Sequence, residues 1–528
     1  MAAAARLALI LHAHLPYVRH VGREDVLEEA WLVQALVESY LPLLGLLEGW
    51  ERDRVPYAIA LGLSPTLVAM LDDPLLRERA RRRIDGVLAV LDRELANGTS
   101  DPSLVPALEH HRERASAAAA RYRSIEADVA GAFRAHAERG ELELFTTAAT
   151  HAFLPNLAGL TGAQRAQIGL GLEQHARRFG APARGFWLPE CGYHAELDPL
   201  LRELGVGWCV LDAHALAAAN PPPLRGPYAP VLTPHGVAML GRDPESSDAV
   251  WSAESGYPGD PAYREFHRDL GQERDLRPHL PALGPDGRGW PTGIKLHAVT
   301  DRGSDHKHPY DPERAARRAE EHAHEFLAGR RRRGAELAPQ LGAPALFVAP
   351  FDAELFGHWW FEGPRFLDSL VRAAALPEGG VALVTPRQLL VTEPRLQVVA
   401  PSPSSWGAGG HRASWLDPRN AWVVREVRDV AERMSRLARS RSAGTSPLVR
   451  RALAQAAREA LLAMASDWSF ILRAETVSSY AEGRIRQHLE RFAALASQLE
   501  LGAVEGDELA ALEHEDAILP ALDPAWFA

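Results

Sequence analysis

Through the first 390 residues, short apolar runs alternate with longer stretches of helical periodicity, which restricts the chain to a parallel β/α sheet or barrel. The runs are Leu7 to Leu11, Tyr57 to Leu61, Leu142 to Thr146, Gly185 to Leu188, Trp208 to Leu211, Ala345 to Ala349 and Val381 to Val384. Polar residues follow them: His12 and His14, then Ser64, His151, Glu190, Asp212 with His214, and Asp352. In a β/α barrel, functional groups gather at the C-terminal ends of the strands, so these residues are expected at one mouth of an irregular barrel of about seven strands.

The 528 residues leave room for attachments. From Leu75 to Gly140 the chain is rich in Ala, Arg and Glu, which favours helices and marks residues 71–140 as a helical insertion. After Pro401 the pattern changes again. The loop SSWGAGGHRASW precedes three helical stretches near 420–440, 447–465 and 475–500, so residues 401–528 read as a helical C-terminal domain. The barrel then takes 1–70 and 141–400. The Pro- and Gly-rich interval from Asn220 to Gly284 reads as a functional loop.

Hydrophobic residues make up 46% and charged residues 24%, the balance of a chain that can bury a large core. A net charge of −11 gains nothing from counterion release, which argues against a nucleic-acid partner. Cys191 and Cys209 are too few for a disulfide framework, and such usage fits a reducing compartment; the expected location is cytoplasmic. The apolar run at Leu7 breaks at His12 and reads as a strand rather than a leader, and no stretch approaches the roughly 20 apolar residues of a membrane span. Lysine occurs only at Lys295 and Lys307, which reads as a codon-composition effect.

Two stretches carry the chemistry. In GFWLPECGYH (185–194) a strand delivers Glu190 into a turn, and in APFDAELFGHWWFEGP (349–364) a strand ends at Asp352, followed by Glu354, His358, Trp359 and Trp360. Singly, Glu190 also fits a helix-start glutamate and Asp352 an N-cap. Together, two carboxylates on two strand ends, flanked by tryptophans, suit a glycosidic bond: one attacks the anomeric carbon and the other protonates the leaving oxygen. Tryptophan offers flat apolar faces to sugar rings. Trp406 and Trp415 stand out because their segment is too glycine-rich to need such bulk for packing.

Two rival chemistries use the same residues. His12 and His14, with Asp212, His214, His306 and His308, could bind a hydrolytic metal, although no second tight motif completes the set. Cys191 beside His194 could be a nucleophile, but such near neighbours in a turn seldom form a triad. No GxSxG elbow, P-loop or strand-borne GxGxxG is present.

With LHAHLPYVRH (11–20), TTAATHAFLP (146–155), FWLPECGY (186–193), VWSAESGYPGDPAYREFHRD (250–269), PFDAELFGHWW (350–360), SSWGAGGHRASWLD (404–417) and ASDWSF (465–470), the chain resembles family 57 glycoside hydrolases. Within that family it is similar to the bacterial and archaeal 1,4-α-glucan branching enzymes. The resemblance implies a distorted (β/α)7 barrel with a helical insertion and a helical C-terminal domain. Glu190 is then the nucleophile of a retaining transglycosylase and Asp352 its general acid/base. His12, His14 and His151 would line the subsites beside the cleaved bond, with Trp31 near the first motif. Trp406, Trp415, Asp467 and Trp468 would shape the acceptor side, and Tyr228 would sit in a mobile loop that shields the intermediate from water. The expected partner is an α-glucan such as amylose or glycogen, with no metal, no cofactor, no membrane and a monomeric chain. A 4-α-glucanotransferase or an α-amylase of the same family is the alternative activity.

Overall fold

The computed structural model describes residues 4–528 except 25, 99–100, 253–254, 277–278, 282–288, 302, 304–305, 377–378, 394, 441–445 and 476. Nine strands occur among the described residues: β1 (Ala5–Ala13), β2 (Ile59–Leu63), β3 (Leu142–Thr147), β4 (Phe186–Trp187), β5 (Trp208–Leu211), β6 (Val231–Leu232), β7 (Ala238–Gly241), β8 (Ala345–Asp352) and β9 (Val381–Leu383). β1 runs parallel to β2 on one side and to β8 on the other, with His12 opposite Asp352. β2 continues to β3 and β3 to β4. Single parallel bridges, Gly185 to Trp208 and Arg242 to Val348, join β4 to β5 and β7 to β8, and β5 pairs with β7. The order β1-β2-β3-β4-β5-β7-β8 therefore closes on itself as a distorted seven-stranded parallel barrel.

One expected barrel strand lies outside the barrel. The run at 381–384 forms β9, which pairs only with the first residues of β1, and the seventh barrel strand is β7 inside the segment read as a loop. The four residues of β7 are too short a run to stand out from their Pro- and Gly-rich surroundings.

Strand alternation aims the site. Ala8 and Ile10, Phe145, Trp187, Trp208 and Val210, Leu240, and Leu346 and Val348 form one buried cluster, the barrel interior. Side chains repeat every second residue along a strand. Continuing those faces by one step brings His12, Asp212 and Arg242, and by two steps Asp352, to the mouth. Gly62 makes room in this interior, since a Cβ there would lie 2.3 Å from the Phe145 ring.

Between β1 and β2, the helical run Leu27–Asp53 is apolar and long enough to cross a membrane, but most of it is buried against the rest of the protein. A π turn at Leu36–Tyr40 interrupts it. Such bulges rotate the following side chains and are frequent at functional sites. Four helices from Pro65 to Glu138 separate β2 from β3, the first two capped by Ser64 and Asp73. After the barrel come Ala421–Ser440, Pro447–Ala463, Ser466–Ala474 and Ser478–Leu501. The break at Met464 and Ala465 is decisive for the site. Ala465 bridges to Ala152, and the Ser466 amide donates to the His151 carbonyl at 3.1 Å, so a new helix starts against the end of β3.

Candidate active site

Above the barrel mouth lies a cleft of about 610 Å³, lined among others by His12, His14, Trp31, His151, Glu190, Asp352, Trp359, Trp406 and Asp467. This size and its mixture of apolar walls with convergent polar groups are those of a ligand site.

Glu190 and Cys191 follow β4 with φ of 62° and 52°, two consecutive non-glycine residues in the left-handed region. Such strain persists only where surrounding structure enforces it. Here the Trp406 amide holds the Glu190 carbonyl at 2.9 Å. The Trp406 indole N–H donates to Oε2 at 2.8 Å, and the Ser466 hydroxyl donates to Oε1 at 3.1 Å. Burial pushes the Glu190 carboxyl up to about 7, with the Asp467 charge adding to it and the two donors opposing it.

Asp352 sits at the end of β8, also pushed well above the usual carboxylate range, by burial first and then by Glu354 and Glu190. Glu354 accepts from the Tyr40 hydroxyl and, at 3.0 Å, from the His14 amide; burial raises it to about 7. Two carboxyls in different environments thus have different assignments. Glu190, with a donor on each oxygen, is suited to act ionised, whereas Asp352, facing Glu354, is suited to hold a proton.

The histidines form a directed chain. Because the Ser466 hydroxyl gives its proton to Glu190, its oxygen must accept from His151 Nδ1, 3.0 Å away. His151 Nε2 is then the acceptor for His12 Nε2 at 2.9 Å. Burial and neighbouring histidines depress both rings well below the ordinary histidine range, so the neutral tautomers are the relevant ones. His12 Nδ1 ends the chain as a buried nitrogen without a hydrogen-bond partner among the described residues. His14 stacks on His151 at 3.9 Å and meets Asp467 at 3.2 Å and Ser64 at 2.9 Å.

The metal-ligand set proposed from sequence does not assemble. His214 is bound to Asp212 and to the Gly410 carbonyl, Asp212 also receives Arg242, and His306 pairs with His308 away from the cleft. His14, His151 and Asp467 do bring potential ligand atoms within 4.8 Å of one another. Both His151 nitrogens, however, are already engaged by Ser466 and His12. Cys191 is fully buried, its thiol pushed well up by burial, and His194 pairs with Gln164 instead.

Four expected substrate contacts lie elsewhere. Trp360 is packed against Phe366 and Tyr263, because neighbouring residues in this turn face opposite ways and only Trp359 reaches the cleft. Trp415 is buried on Phe153 at 4.5 Å, and the glycine-rich loop folds over it so closely that a Cβ on Gly407 would lie 2.6 Å from its ring. Bulk at Trp415 serves packing after all. Trp468 is buried with its indole donating to the Leu462 carbonyl at 2.8 Å. Tyr228 packs edge-on against Phe347, five residues before Asp352 and so roughly 17 Å back along β8. Its backbone carbonyl binds Leu346, which ties its segment to the opposite end of the barrel.

Sequence reasoning overlooked Ser466, Tyr40, Arg242, Phe266 and Lys295 as site residues, and took Glu354 only as part of a motif. Strand parity from Leu240 would have found Arg242. Nothing in an apolar helix singles out Tyr40.

This architecture has matching relatives. The model of glycosyl hydrolase family 57 matches residues 8–270, and that of the 1,4-alpha-glucan branching enzyme C-terminal region matches 426–527. The 1,4-alpha-glucan branching enzyme TK1436 of Thermococcus kodakarensis is 30% identical over 97% of this chain and 76% of its own length. The chain belongs to glycosyl hydrolase family 57. The family crystal structure of TK1436, in complex with glucose and additives, superposes with a TM-score of 0.88 at 28% identity, covering 99% of this chain and 96% of that one. A probable 1,4-alpha-glucan branching enzyme of Mycobacterium tuberculosis is 33% identical over 94% of this chain and 92% of that protein. The alpha-amylase AmyC of Thermotoga maritima gives a TM-score of 0.92 at 36% identity, covering 100% of this chain and 99% of that one.

Proposed function

We propose that this family 57 chain is a 1,4-α-glucan branching enzyme that works by retaining double displacement. Glu190 attacks the anomeric carbon of an α-1,4 bond while Asp352 protonates the departing oxygen, leaving a glycosyl ester on Glu190. Asp352, now a carboxylate, takes the proton of a glucan 6-hydroxyl, which displaces Glu190 and forms the α-1,6 branch. The observation that carries this reading is the opposed environment of the two carboxyls, one held by Trp406 and Ser466 and the other beside Glu354.

His12, His14, Trp31, His151, Trp359, Trp406 and Asp467 form the substrate wall in this reading. We assign the catalytic barrel to 1–70 and 141–400, the insertion to 71–140 and the C-terminal domain to 401–528; the last contributes Trp406 and Ser466 to the nucleophile. The polymer would be a storage glucan of the glycogen type, built in the cytoplasm by a monomeric enzyme. Two free cysteines support that compartment.

Proton NMR of amylose with the protein tests the reading. The α-1,6 anomeric signal should grow at nearly constant reducing ends and be absent with Glu190→Gln. The likeness to AmyC favours a second reading, hydrolysis, for which reducing ends would rise without α-1,6 signal.

A further inference from the structure

We infer that a second α-glucan-binding groove lies beside the cleft, across the Phe266–Trp359 pair, and that it holds the acceptor chain. The inference rests on the transglycosylase reading above.

A separate cavity of about 500 Å³ shares Phe266, His267 and Trp359 with the catalytic cleft. The two aromatic rings are stacked 4.6 Å apart at 15°, making a flat partition common to both spaces. Trp251 forms another wall of the second cavity. Trp251 and Trp359 are 38% and 56% exposed, and they are the exposed tryptophans among the described residues; the others are buried or half-buried. An indole left in water is an unusual cost, and flat apolar faces rimmed by polar groups match the C–H faces and hydroxyls of pyranose rings. Glu265, His267 and Lys307 supply that rim.

The lysines fit the same picture, contrary to the expectation that they reflect composition alone. In a chain with 58 cationic side chains, the two lysines fall one in each cavity. Lys295, on the cleft side, lies 3.9 Å over the Phe266 ring. Lys307, on the groove side, donates to the carbonyls of Val299, at 2.9 Å, and Asp301. An ammonium has three donors, so among the described residues one remains for a ligand hydroxyl.

The groove also leads to the chemistry. Trp251 is edge-on to Trp406, which holds the nucleophile. A transfer between two glucan chains needs a second chain within reach of the intermediate while the first occupies the cleft. A groove separated from the cleft by one pair of rings meets that need.

Calorimetric titration of the Glu190→Gln protein with maltoheptaose should give two sites per chain. Adding Ser252→Phe, which fills the groove, should leave one, and Trp251→Ala, which removes a wall instead, should lose the same site. Acetylation read by peptide mass locates the second site: maltoheptaose should protect Lys307, and the groove variants should lose that protection. In the Ser252→Phe enzyme with Glu190 intact, α-1,6 formation relative to α-1,4 cleavage should fall about tenfold. One site, with Lys307 reacting as in the free protein, would overturn the groove. No binding at either site and no protection of Lys307 would instead overturn the α-glucan reading on which it rests.

Discussion

Trp406 grips Glu190 twice, its amide on the Glu190 carbonyl at 2.9 Å and its indole N–H on the carboxylate at 2.8 Å. A residue following the barrel thereby fixes both the strained backbone of the nucleophile and the direction of its side chain. Trp406→Phe keeps the ring and removes the indole donor. A hydrogen bond to a charged group contributes about 1.5–3 kcal/mol, so kcat should fall roughly ten- to hundredfold. The lost donor had favoured the ionised form, so the Glu190 pKa rises further and the acid limb of the pH profile moves to higher pH. An acid limb that stays put would separate the indole from the ionisation of Glu190.

Ser466 is tested through the histidines. Ser466→Ala leaves Glu190 Oε1 without its donor and His151 Nδ1 without its acceptor. The expected loss in kcat/KM is about tenfold, with partial recovery in Ser466→Thr. Nitrogen NMR should find His151 protonated at Nδ1 in the parent protein and that preference weakened in the alanine variant. An unchanged tautomer would break the directed chain from His12 to Glu190.

Glu354 acts on Asp352 by charge. Asp352 must carry a proton to serve as the acid, so activity falls as pH rises through its pKa. The Glu354 carboxylate raises that pKa, after burial the largest cause. Glu354→Gln removes the negative charge, and the basic limb should move to lower pH while the acid limb, set by Glu190, moves little. A basic limb shifted upward would contradict the assignment.

The site should also weaken the fold. Burial raises Glu190 from 4.5 to about 7, so the folded state binds its proton more tightly than the unfolded chain. A carboxyl with a raised folded pKa favours folding at low pH and loses that contribution as pH rises from about 4.5 through about 7. At pH 8 the ionised group costs on the order of 3 kcal/mol. Glu190→Gln should therefore raise Tm at pH 8, with the gain shrinking toward pH 4. Calorimetric unfolding at both pH values checks the sign.

Much of the fold and half of the site could be read from local pattern. A strand's period of two and its polar terminus lead from Ile10 to His12 and from Val348 to Asp352, and these residues do share the mouth. Pattern fails where position depends on distant packing. Trp415 in a glycine-rich loop and Trp468 after Asp467 look like platforms, yet both are core, because the loop and the break at Met464 fold back on the barrel. Ser466 lies inside the ASDWSF stretch, yet nothing in that stretch marks it above its neighbours Asp467 and Trp468; its role comes from docking at His151, more than 300 positions earlier. Tyr228 fails for the same reason: its ring packs on Phe347 and its carbonyl binds Leu346, at the end of β8 far from Asp352.

Trp359 and Trp360 give the sharpest contrast between a cleft residue and a core one. Trp359 is half-exposed and stacked on Phe266, whereas Trp360 is 1% exposed among Phe366, Tyr263 and Phe356. Truncating a buried tryptophan costs about 3–5 kcal/mol through lost transfer energy and the cavity left behind. Trp360→Ala should therefore lower Tm by many degrees. Trp359→Ala removes surface the solvent already wets, so Tm should change little while KM for long glucans rises severalfold. Equal losses of stability in the two variants would mean that Trp359 braces the turn instead of receiving sugar.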